Sequence, residues 1–86
     1  MNAVARYNAA IAEVNALEGD LRSVPVVHAC RLALKDALRA LRDVIAQEPK
    51  AETRALQREL LRTLKRLHYH LCVMEHCSVR ITTELN

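Results

Sequence analysis

The sequence predicts an all-α fold of three helices, and three observations carry the prediction. A single Gly and two Pro in 86 residues leave almost no turn chemistry for a sheet of several strands. Apolar residues recur at steps of three and four along most of the chain, the spacing of one helix face. Pro25 and Pro49 fall between the periodic stretches and divide the chain into three segments. A hydrophobic fraction of 51% beside 27% charged residues is too apolar for disorder, and 86 residues allow one domain with a thin core.

The first helix is expected over about 3–22. Val4, Tyr7, Ile11 and Val14 form its stripe, and Leu17 and Leu21 continue it past Gly19, a residue that weakens a helix interior by up to about 1 kcal/mol. Asp20 or Ser23 can cap the next helix, with Pro25 in its first turn, where a missing N–H does no harm. That second helix, about 26–47, presents Val27, Cys30 or Arg31, Leu34, Leu38, Leu41 and Ile45 on one side. It stops ahead of Pro49, because the residue before a proline is disfavoured in the α region. A short reversal then makes the second and third helices an antiparallel hairpin. The third, about 51–85, carries the clearest signal. Leu60, Leu64, Leu67, Leu71, Met74, Ser78, Ile81 and Leu85 alternate steps of four and three, as in a coiled-coil seam.

The hairpin arms differ in length, about 33 Å against about 50 Å at the rise of an α-helix. A turn near residue 49 pairs positions whose numbers sum to about 99, setting His28 level with Leu71 and Cys30 level with Tyr69. The first helix folds back along the second, so Ile81 and Leu85 are expected to project past the bundle, where exposed apolar area is unfavourable by roughly 25 cal/mol per Å². From Leu67 to Val79 the only formal charge is Glu75. Residues 67–85 therefore read as an interaction surface for a partner helix or a second copy, with Leu67, Tyr69, Leu71, Met74, Ile81 and Leu85 as anchors.

Every His and Cys falls at one level of this map. His68, Cys72 and His76 follow i, i+4, i+8 on one flank of the third helix, and His28 and Cys30 lie opposite them. Imidazole with thiolate suits zinc or another borderline metal, which gives an alternative reading as a metal or redox sensor. Against it, compact ligand spacings such as C-x2-C or H-E-x-x-H are lacking, and small thiols commonly pack as hydrophobes. No cofactor is expected. Cys72 and Cys77 are five apart and do not face each other, so three Cys in a chain without an export signal read as reduced thiols.

Basic residues give a further alternative. Arg54, Arg58, Arg62 and Arg66 recur every four positions with Lys65 alongside, and Arg31, Lys35, Arg39 and Arg42 decorate the second helix. Net charge is −1 for residues 1–30, +2 for 31–50, +3 for 51–71 and −1 for 72–86, which sums to the chain's +3. A small nucleic-acid binder would show this bias. Interspersed Glu52, Glu59, Asp36 and Asp43, and only two Tyr for stacking, argue against it. Catalysis has the least support, since one Gly cannot build a phosphate loop and no nucleophile, base and carboxylate share a recognisable spacing. No apolar run approaches a membrane span, and the first residues lack a signal-peptide core. The expectation is a cytoplasmic protein.

The length, the hairpin around Pro49 and the stretch Leu60 to Leu71 running into His-Tyr-His and Met74 resemble the small helical co-chaperones of bacterial type III secretion systems. The resemblance implies a helical hairpin that holds an export chaperone or needle subunit and prevents its early polymerisation. The leading expectation is thus a non-enzymatic helical adaptor or chaperone that covers the apolar third helix with a partner helix.

Overall fold

The computed structural model describes the backbone of residues 2–85 and the side chains of residues 2–75. Three helices account for it: α1 (Ala3–Leu17), α2 (Val24–Gln47) and α3 (Ala51–Leu85), with a single 3₁₀ turn, Glu18–Asp20, after α1. The all-α hairpin with a packed N-terminal helix is as the sequence predicts. α2 is the middle element, with α1 against one flank and α3 against the other.

The caps explain the boundaries. Asn2 sits in extended backbone and its Oδ1 accepts the N–H of Ala5 at 2.8 Å, satisfying one donor of the first turn of α1. α1 ends at Leu17 rather than near Arg22, since the chain tightens into the 3₁₀ turn around Gly19, where continuing the α-helix is costly. Ser23 takes the N-cap position of α2 through its extended backbone, without a side-chain bond, and Pro25 occupies the first turn. At the other end the Glu48 N–H still reaches Val44 O at 3.0 Å, and Pro49 then forbids a further turn. Only Glu48, Pro49 and Lys50 separate α2 from α3, so the two helices run antiparallel.

The core is built on α2. Val27, Cys30, Leu34, Ala37 and Leu41 recur at steps of three and four and are buried, as are Ala33 and Ala40. A helix flanked on both sides must bury a wide stripe, and small residues on one edge permit close approach. α1 answers with Ala3, Ala10 and Val14 buried and Tyr7 and Ile11 half-buried. This corrects the expected stripe: Val4 is 53% exposed, while Ala3 and Ala10 are buried, so the buried face of α1 is turned toward its alanines. α3 contributes Leu60, Leu67 and Leu71, with Leu56, Leu64 and Met74 packed at the margin. Leu60, Leu64, Leu67, Leu71 and Met74 are the seam positions the periodicity requires, and Leu56 lies one residue off it.

An ion pair fastens α1 to α2. Arg6 Nη2 donates to Asp43 Oδ2 at 2.6 Å, and both side chains are partly exposed. The hydrogen bond from Arg6, aided by the Arg6 and Arg42 charges, holds the Asp43 carboxyl below its ordinary range. A lowered folded-state pKa gives stability that is present above the ordinary carboxylate range and lost as pH falls through the lowered value. Wild type should therefore melt above Arg6→Gln at neutral pH, with the two melting curves converging in acid as Asp43 protonates. Thermal scans of both proteins across the acid range measure this.

Candidate functional site

The long axis of the molecule is 56 Å, close to the roughly 52 Å that 35 helical residues span on their own. The 24 residues of α2 cover only about 36 Å. Register fixes which end is left over. Arg31 stands beside His68, with Nη1 3.4 Å from Nδ1, and His28 Nε2 lies 3.7 Å from Glu75 Oε1. The first pair sums to 99, the value expected for the hairpin, while the second sums to 103, so His28 reaches one turn further along α3 than the expected level of Leu71. Val24, where α2 begins, is about one turn before His28, so α3 continues past about residue 79 without α2 alongside. The chain between α1 and α2 is held lower on α3, where His70 Nε2 lies 3.0 Å from Leu21 O. A carbonyl only accepts, so this ring nitrogen carries the proton.

The expected anchors divide. Leu67 and Leu71 are buried in the chain's own core and offer no free surface, because α2 already covers the seam at their level. This corrects their reading as partner contacts. Met74 is half-buried at the edge of the same core. Tyr69 stands out at 72% exposed, and Val73, one turn on, is 41% exposed. Val73 was not among the expected anchors, since it lies off the seam; its i, i+4 relation to Tyr69 is the signal that would have found it. Ile81 and Leu85 lie outside the described side chains.

The proposed metal ligands do not converge. Cys30 is fully buried against the core of α2 and burial, with a smaller effect of the Glu18 charge, pushes its thiol pKa up. It is a packing residue, not a ligand. His28 turns to Glu75. His68 Nε2 and Cys72 Sγ are 3.8 Å apart, one turn of α3 separating them, but the guanidinium of Arg31 stands at the other ring nitrogen and repels a cation there. Among the described residues no group of three His, Cys, Asp or Glu is arranged to hold a metal ion; the His76 side chain lies outside them. Cys30 and Cys72 are both free thiols, buried and exposed respectively. In a Cys77→Ser background, Cys72 should react with a thiol reagent within the mixing time, and Cys30 only as the protein unfolds. Two fast thiols would contradict the buried position of Cys30.

The basic residues occupy two places. Arg54, Arg58 and Arg62 are exposed along the outer side of α3, where Arg62 Nε reaches only the Arg58 carbonyl at 3.5 Å. Arg31, Lys35, Lys65 and His68 instead line a groove between α2 and α3. Among the described residues, neither set forms an ion pair with a carboxylate, whereas Arg6, Arg39 and Lys50 do. No helix of the described residues is long and apolar enough to cross a membrane. Comparison of the chain with protein-family models, with curated proteins and with solved structures finds no match.

Proposed function

We propose that this chain is a non-enzymatic helical adaptor of the chaperone kind, which docks a partner helix along the C-terminal half of α3 in the cytoplasm. The observation that carries the reading is the unequal hairpin: α3 has 35 residues against 24 in α2, and the excess falls at its C-terminal end. Tyr69 and Val73, one turn apart, are exposed on the outer side of α3 and offer a partner helix further apolar contact. An aromatic ring with a polar tip is a favourable anchor for such contacts, because it buries much area at small entropic cost. The heptad sequence Met74, Ser78, Ile81, Leu85 supplies the spacing that a partner helix reads.

The resemblance to type III secretion co-chaperones indicates what the partner would be: an export chaperone or needle subunit with an aggregation-prone helix. A second copy of the chain would meet the same need. Light scattering across a concentration range separates the two. Self-association gives a mass that rises to a multiple of 9.7 kDa, whereas an adaptor for another protein stays monomeric alone and forms a complex of fixed stoichiometry with its purified partner. A monomer that forms no complex with any chaperone or needle subunit of its own cell overturns the proposal.

A further inference from the structure

A different part of the molecule points to a small ligand. Arg31 and Lys35, one turn apart on α2, face Lys65 and His68 on α3 across a groove of about 420 Å³, and Leu64 completes its lining. Among the described residues no carboxylate lines this groove. His28 and Glu75, further along the same junction, are engaged with each other, and Asp36 is taken by Arg39 at 3.1 Å. Three cationic side chains and an imidazole therefore share one space with nothing negative among them, an arrangement that costs Coulomb energy unless an anion enters.

The second observation concerns Arg31. Its Nε is buried and, among the described residues, has no hydrogen-bond partner, while its Nη1 has only His68 Nδ1 at 3.4 Å, a long contact. An arginine that lines a groove and has no carboxylate partner among the described residues is suited to an oxyanion, which its guanidinium can meet with parallel N–H bonds. Lys35 and Lys65, from the two walls, add charge without constraining geometry. The His68 ring, with one nitrogen toward Arg31 and the other toward Cys72, lines the α3 wall of the groove.

We propose that this α2–α3 groove binds a compact phosphoryl anion, such as a phosphate monoester or pyrophosphate. The convergence of cations from two helices on one space fits a small multiply charged group. A nucleic-acid strand would instead need cations strung along a face, the disposition of Arg54, Arg58 and Arg62.

The test uses the full chain and pyrophosphate, inorganic phosphate and a single-stranded RNA oligomer as separate probes, with sodium chloride at matched ionic strength as control. Amide chemical shifts should move saturably with pyrophosphate for residues 31–35 and 64–68. Lys35→Gln/Lys65→Gln alters two solvent-accessible side chains outside the core, so it should fold; it should bind about tenfold more weakly or not at all. Arg58→Gln/Arg62→Gln should bind pyrophosphate as wild type does. Shifts that follow ionic strength without saturating, equal weakening in both double variants, or binding of the RNA oligomer without binding of pyrophosphate would each overturn the proposal.

Discussion

Leu34→Ala should lower the free energy of unfolding by about 2–5 kcal/mol, while Leu32→Ala on the same helix should change it by no more than about 0.5 kcal/mol. The two residues have the same side chain and differ by 200° around α2, an angle that follows from 100° per residue. Leu34 is fully buried at the centre of the core, and Leu32 is 59% exposed on the opposite side. Truncating Leu34 removes its transfer free energy and leaves a cavity that α1 and α3 cannot both close, since each is held to α2 by other contacts. A domain of this length has a total stability of only about 4–13 kcal/mol. The loss is therefore enough to bring Leu34→Ala close to unfolding near body temperature. Denaturant titration of both variants reads the difference directly. Equal midpoints would mean that α2 is not the shared centre of the fold.

Tyr69→Ser/Val73→Ser should leave the melting temperature within a few degrees of wild type and abolish or greatly weaken partner binding. Both side chains are largely outside the core, and a buried interfacial tyrosine typically contributes about 2 kcal/mol or more, close to thirtyfold in affinity. Leu71→Ala supplies the contrast. It is 3% exposed in the intramolecular core, so its truncation should cost about 2–5 kcal/mol of stability and affect binding only through the fold. Arg62→Ala, at an exposed position, should do neither. If the double variant binds as wild type does, the docking face lies elsewhere.

Much of the architecture could be read from the chain because its signals were redundant. Pro49 marked the turn, the leucine heptads of α3 marked the seam, and together they set the register that Arg31 and His68 keep. The face of α1 was harder, because alanine adds little to a hydrophobic pattern although it decides how closely two helices approach. Val4 drew the stripe one residue out of place, and Ala3 and Ala10 are the buried positions. Of the His and Cys expected at one level, His68 lies beside Arg31 as the register requires, whereas His28 reaches Glu75, one turn beyond the expected Leu71. Level alone does not say which way a side chain turns: Cys30 faces the core, His28 turns to Glu75, and His70 ties down the chain at Leu21. The proposed anchors met the same ambiguity, since Leu67 and Leu71 are buried in the chain's own core and Tyr69 is exposed. The cationic groove depends on α2 and α3 lying side by side at a particular rotation, which neither helix specifies by itself.

The most direct test of the adaptor account is a hydrogen-exchange footprint on the full chain, alone and in complex with its purified partner. The account predicts slowed exchange confined to α3 from about residue 69 onward, with α1 and the first turns of α3 unchanged. A footprint on α1, or on Arg54 to Arg62 alone, would contradict it.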